Sequence, residues 1–276
     1  MTMSVEPDMR LVLSNRPDNV ALVRQALGGL AGSVGIHESL LADMKTAVSE
    51  ACNNVVLHAY ADERGPLEVY VCPDAHEIAV VVRDEGTGIQ PREPEPDAAM
   101  QGVGLSLIQA LTEKVEFGGG ADQGTEVRMT FRSERPLDLN GEVAGSGAEL
   151  DPPPGDTVVS ASGQLVAPVL GSVIAVLAAR AGFSVERLSE AQIVTDAIAA
   201  HAAEAFPGRH VHAAIDTAER RLDLRVGPLM DGGGERLVAS SAVGGLAPVL
   251  ERLTDEMAVE RRDGAEDLRL AIVDQR

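Results

Sequence analysis

The chain has 276 residues, 45% of them hydrophobic, which is enough to bury a core in one large domain or two of ordinary size. Aromatic residues make up 2% and tryptophan is absent, so the core is aliphatic and base stacking is a poor binding mode. A net charge of −20 repels phosphate backbones and anionic lipid, which excludes nucleic acid and membrane surfaces as expected partners but leaves room for a small anion held by backbone N–H groups and a metal ion.

The first predicted element is a strand over 9–13, followed by helices over 17–31 and 37–59. In the second helix Leu40, Met44, Ala47, Val48 and Ala51 recur at three- and four-residue spacing, the mark of a helix with one buried face. On the same helix Glu50, Asn54 and His58 fall at i, i+4 and i+8, which predicts one polar stripe. Asparagine is a poor helix former, and here it sits among Ala, Val and Leu. Its amide oxygen suits Mg²⁺, and a Glu one turn earlier suits proton abstraction; a solvated face is the plain alternative.

Strands are predicted over 67–72 and 77–83. The second, Ile78-Ala-Val-Val-Val82, ends on a lone Asp84 with Gly86 and Gly88 behind it. A carboxylate there can accept from an exocyclic amino group such as that of adenine, and the glycines let the backbone come close to a ring. A Pro-containing loop leads to Gly102 and Gly104, which are expected to precede a helix over 103–112 and to offer N–H groups to phosphate. Strands over 114–118 and 125–132 close the unit, with Gly124-Thr125 placing a hydroxyl near Asp84. Short turns between strands predict a mostly antiparallel sheet with helices on one face, an α+β two-layer sandwich.

Residues 133–155, with Pro136, Pro152–Pro154 and several glycines, read as a linker. Beyond it the pattern returns. Residues 9–36 match 156–183, 47–60 match 193–206, 76–82 match 220–226 and 107–115 match 249–257, at an offset that shortens slowly along the chain. The site residues do not return. Asp196 and Ala200 align with Glu50 and Asn54, Glu204 with His58, and Pro228, Met230 and Gly232 with Asp84, Gly86 and Gly88. "DGGG" at 231–234 has no Lys behind it and reads as a remnant turn.

The apolar run Leu165–Ala181 is broken by Pro168, Gly171 and Arg180 and is expected to be a buried helix. Cys52 and Cys72 have no metal-ligand spacing and suggest a reducing compartment. With no basic start before an apolar run, a cytoplasmic protein is expected.

"SEACNNVVLHAY", "DEGTG" at 84–88, "GVGL" at 102–105 and "GT" at 124–125 together resemble the N box, G1 box, G2 box and closing element of the GHKL (histidine kinase/Hsp90-like) ATPase family, over residues 8–132. Within it the N box is most similar to the anti-sigma-factor serine/threonine kinases. The resemblance implies a Bergerat-type fold, present twice: an ATP-binding kinase-like domain over 1–132 and a degenerate copy without a nucleotide site over 156–276. It implies ATP and Mg²⁺ as cofactors, with Asn54 the metal ligand and Glu50 the base. His58, Asp84, Gly86, Gly88, Gly102, Val103, Gly104, Leu105 and Thr125 would line the nucleotide site. It further implies an anti-sigma antagonist of the STAS type as substrate and a sigma factor as second partner. The retained core beside the lost site suggests an intramolecular pseudo-dimer. Val103 stands between the G2 glycines where many such kinases carry Arg, and the alternative is a non-catalytic ATP-bound binding module.

Overall fold

The computed structural model describes residues 7–60, 63–87, 101–120, 124–139, 155–207, 210–242, 247–262 and 265–275, with the backbone alone for 101–103 and 262. The chain divides into two compact units, one of Met9–Leu139 and one of Asn140–Arg276 with Met1–Asp8.

The first unit runs β1 (Met9–Ser14), α1 (Pro17–Val34), α2 (Glu38–Asn54), a π-helical turn (Val55–Ala59), β2 (Pro66–Pro73), β3 (Glu77–Asp84), α3 (Gln101–Leu111), β4 (Lys114–Gly119) and β5 (Thr125–Arg132). Its strands lie in the order β4-β5-β3-β2-β1, and all four pairings are antiparallel. The period-two pattern decides the faces. Leu11 and Leu13, Leu67, Val69 and Val71, Ile78, Val80 and Val82, and Met129 and Phe131 are all buried. Each fully buried aliphatic side chain contributes roughly 1.5–3 kcal/mol. The same strands carry charge on alternate residues: Arg10 reaches Glu68 at 3.1 Å and lies 5.4 Å from the centre of the Tyr70 ring.

Local chemistry sets the helix ends. Pro17 opens α1, and Gly35, at φ 73°, closes it with an N–H to the Ala31 carbonyl. His37 caps α2 by accepting from the Ser39 N–H. Residues 133–139, which composition assigns to the linker, fold back on this unit. The Ser133 and Leu137 N–H groups donate to His76 and Ala75, Asp138 donates to Val34, and Leu137 is buried. Residues 140–154 lie outside the described residues.

The second unit contains β6 (Thr157–Ser162), α4 (Val166–Arg180), α5 (Val185–Ala200), α6 (Ala202–Ala205), β7 (His210–Ala218), β8 (Arg221–Leu229), α7 (Gly233–Ser240), α8 (Val249–Leu253), β9 (Glu256–Arg262) and β10 (Ala265–Val273). Its strand order, β6-β7-β8-β10-β9, all antiparallel, follows the same rule as β1-β2-β3-β5-β4. One segment, Gly163–Arg180, is long and apolar enough to cross a membrane by length and composition. Its Val166, Val169, Leu170, Val173, Ile174 and Leu177 are buried in this unit. Cys52 and Cys72 form no disulfide, and burial pushes the Cys52 thiol up to about 12.

Candidate nucleotide site

Asp84 ends β3 and is 2% exposed. Burying a carboxylate is costly unless donors meet it. Two backbone N–H groups do, Gly86 at 2.9 Å and Thr125 at 3.2 Å, and both donate to the same oxygen, Oδ1. Arg83 pairs with Glu126 across β3 and β5, so the register itself sets Thr125 beside Asp84. The expected Thr125 hydroxyl contact is replaced by its main-chain N–H, because a ladder position fixes the backbone first. Among the described residues, no hydrogen bond reaches Asp84 Oδ2 from the protein.

Gly86 meets main chain on the side its missing Cβ would occupy. A Cβ on Gly86 would stand 2.1 Å from the Ala59 carbonyl oxygen, so this glycine allows backbone to meet backbone. Thr87 then donates its N–H to that same carbonyl at 3.0 Å. Gly124, at φ 72°, holds the other side, where a Cβ would lie 2.0 Å from the Asp84 carbonyl oxygen. Both atoms belong to main chain, so neither can rotate away. Gly124→Ala adds a left-handed penalty of about 1–2 kcal/mol to that clash. We expect denaturant titration to show a loss of about 3 kcal/mol or more, with Gly118→Ala, whose Cβ meets nothing closer than 3.6 Å, costing little by comparison.

Glu50 and Asn54 lie on α2, both half-buried. Helices α2 and α3 pack together, and Glu50 Oε2 sits 3.1 Å from where a Cβ on Gly104 would stand. The acid is thus brought to the first turn of α3. That helix begins at Gln101, so Gly102 and Gly104 lie within its opening turn instead of preceding it. The first four N–H groups of a helix have no intrahelical acceptor, which leaves those of 101–104 available to an anion. Leu105 is exposed on the same helix. Nothing is described of the Val103 side chain, and Gly88 lies outside the described residues.

His58 lies in the π-helical turn Val55–Ala59 and is exposed with its neighbour Leu57. Sequence reasoning also passed over Tyr60, which ends this turn. Its hydroxyl donates to the Pro66 carbonyl at 2.6 Å and accepts the Glu85 N–H at 2.7 Å. An Asn-X₅-Tyr spacing before a strand carries no general signal.

The donor set fits a nucleotide with its metal. Among the described residues Asp84 Oδ2 accepts no protein hydrogen bond, the N–H groups opening α3 have no intrahelical acceptor, and the Asn54 amide has no side-chain hydrogen bond. Among the described residues no cluster of three or more His, Cys, Asp or Glu could cage a metal. Mg²⁺ is commonly held by one or two protein oxygens together with substrate phosphates and water, so a single amide is compatible with it.

The comparisons agree with this geometry. The histidine kinase-like ATPase domain family matches residues 13–131. The serine-protein kinase RsbW of Bacillus licheniformis is 33% identical over 128 residues, covering 42% of this chain and 79% of that protein. The chain belongs to the histidine kinase-like ATPase family. The anti-sigma F factor of Oceanobacillus iheyensis is 30% identical over 132 residues, or 45% of this chain and 90% of that protein. That of Bacillus subtilis strain 168 is 26% identical over 132 residues. The histidine kinase-like ATPase match lies within the first unit.

In the second unit β8 ends on Gly227-Pro228-Leu229, and a buried carboxylate stands on the facing strand. Glu266 pairs with Leu229 across β8 and β10, is 5% exposed, and accepts the Gly234 N–H at 3.3 Å. Burial disfavours its charge, yet the N–H groups of Gly234 and Gly232 and the Arg261 guanidinium outweigh that and hold its carboxyl below the usual carboxylate range. "DGGG" is therefore the opening of α7, with Gly232 as its N-cap, and its N–H groups meet an internal anion.

Proposed function

We propose that the first unit is an ATP·Mg²⁺-dependent serine/threonine protein kinase of the anti-sigma type, acting on a STAS-type antagonist and holding a sigma factor. The observation that carries the reading is Asp84, a buried carboxylate with one oxygen fixed by two main-chain donors and the other left for the adenine amino group. Asn54 is the metal ligand, and the N–H groups opening α3 take the phosphates. Glu50, beside that turn, accepts the proton of the substrate hydroxyl as its oxygen takes the γ-phosphoryl group and ADP leaves, and the helix N-terminus faces the charge on that group; a metal on Asn54 would add charge neutralisation there. The chain supplies orientation and the base. Gly86 and Gly124 let the main chain close tightly around Asp84, and by the same reading Gly88, Gly102, Gly104, Leu105 and Thr125 line the site.

The second unit is proposed to be a degenerate copy without a nucleotide site. Its identical strand order supports common descent, and Glu266 on the start of α7 supports the loss, since the anion seat is filled from within. A second reading, an ATP-bound module that binds without phosphorylating, is favoured by Val103 between the two glycines. Incubating the chain with γ-labelled ATP, Mg²⁺ and a purified STAS-domain protein separates the two. Labelled phosphoserine on the STAS protein is the expected result, and tight ATP binding without transfer would leave the binding module in its place.

A further inference from the structure

We propose that Tyr60 is a positioning residue for purine specificity, its hydroxyl holding the turn that aims Asp84. The proposal rests on Asp84 as the adenine reader. The three N–H groups that follow Asp84 go to three different places. Glu85 donates to the Tyr60 hydroxyl, Gly86 to Asp84 Oδ1, and Thr87 to the Ala59 carbonyl. Only the first of these depends on a side chain from outside the turn.

The hydroxyl is placed where the turn has least other support. Leu67 and Asp84 are the last pair on that end of the β2–β3 ladder, and Pro66 and Glu85 lie just past it. Pro66 offers a carbonyl and no N–H, so it cannot continue the ladder by donating to Glu85. The Tyr60 hydroxyl fills the gap by accepting from Glu85 and donating to Pro66. Doing both requires the neutral phenol, the form a tyrosine already holds at neutral pH, and burial pushes its pKa further up, to about 12. The ring itself is seated on Gly65, where a Cβ would stand 2.0 Å from Cε1, so the hydroxyl has little freedom to wander. The π-helical turn over Val55–Ala59 delivers both Tyr60 and the Ala59 carbonyl to this turn from the helix that bears Asn54. Metal ligand and purine reader are in this way tied through one short stretch of backbone.

Tyr60→Phe keeps the ring over Gly65 and removes only the two hydrogen bonds. The test measures calorimetric affinities of the intact chain for ATP·Mg²⁺ and for the Mg²⁺ complex of purine riboside triphosphate, which lacks the 6-amino group. The wild type is expected to favour ATP at least roughly tenfold, as one charge-assisted hydrogen bond implies. In Tyr60→Phe that preference collapses toward unity, because ATP loses about tenfold and the deaminated analogue little. Equal weakening for both nucleotides, with the preference kept, would mean a merely structural tyrosine and overturn the proposal, as would unchanged affinities. A wild type that takes both nucleotides equally overturns the Asp84 reading and this proposal with it. Discrimination by the wild type with equal discrimination by Tyr60→Phe overturns the Tyr60 role alone.

Discussion

Asp84→Asn is expected to abolish measurable ATP binding while leaving the fold intact. The substituted amide can keep its oxygen where Oδ1 accepts from Gly86 and Thr125, which preserves the turn. Its NH₂ then replaces Oδ2 and faces the adenine amino group, donor against donor. Rotating the amide only moves the conflict onto the two main-chain N–H groups. Losing a charge-assisted bond and leaving a donor unpaired costs about 3 kcal/mol or more, roughly 100-fold or more in affinity. Calorimetry reports the affinity, and thermal unfolding without nucleotide reports the fold. Unchanged affinity would remove Asp84 from the site.

Glu50→Gln is expected to separate binding from chemistry. The amide has nearly the same shape and keeps its place beside Gly104, so the ATP dissociation constant should change by no more than a few-fold. It cannot take a proton from the substrate hydroxyl, and loss of a general base typically costs 10²–10⁴-fold in rate. The measurement is the initial rate of phosphoserine formation at saturating ATP. A rate within about threefold of wild type would leave Glu50 a structural acid, and a parallel loss of binding would mean that it supports the pocket and not the reaction.

Much of the first unit was legible because its strands alternate cleanly. The β1, β3 and β5 residues bury every second side chain, and the proposed strand ends lie within a residue or two of those found. The helix over 17–31 extends to Val34 because Gly35 supplies the left-handed stop. The bonding of the second helix was not legible. A π turn differs from an α turn by one residue per loop of hydrogen bonds, and "VVLHA" has no residue that demands it. The spacing of Gly86 and Gly88 suggests the close approach of a ring, while the atom nearest a Cβ on Gly86 is the Ala59 carbonyl oxygen. Which atom approaches a glycine is a tertiary fact.

The second unit shows the same limit from the other direction. Pro228 near the end of β8 is legible in the sequence, but the carboxylate that Glu266 supplies from the facing strand is not. The register of β8 against β10 is what brings Glu266 to α7, and a one-dimensional comparison has no access to it. Likewise, Ser133–Leu139 looks like linker by composition, while its main-chain N–H groups have acceptors on the first unit.

The central claim is that the chain carries its nucleotide on Asp84 and Asn54. A crystal structure of the intact chain with Mg²⁺ and a non-hydrolysable ATP analogue tests it most directly. The account predicts the 6-amino nitrogen about 3 Å from Asp84 Oδ2, with Mg²⁺ on the Asn54 amide oxygen and the phosphates at the start of α3. A purine lodged beside Glu266 in the second unit, or one turned away from Asp84 in the first, would contradict it.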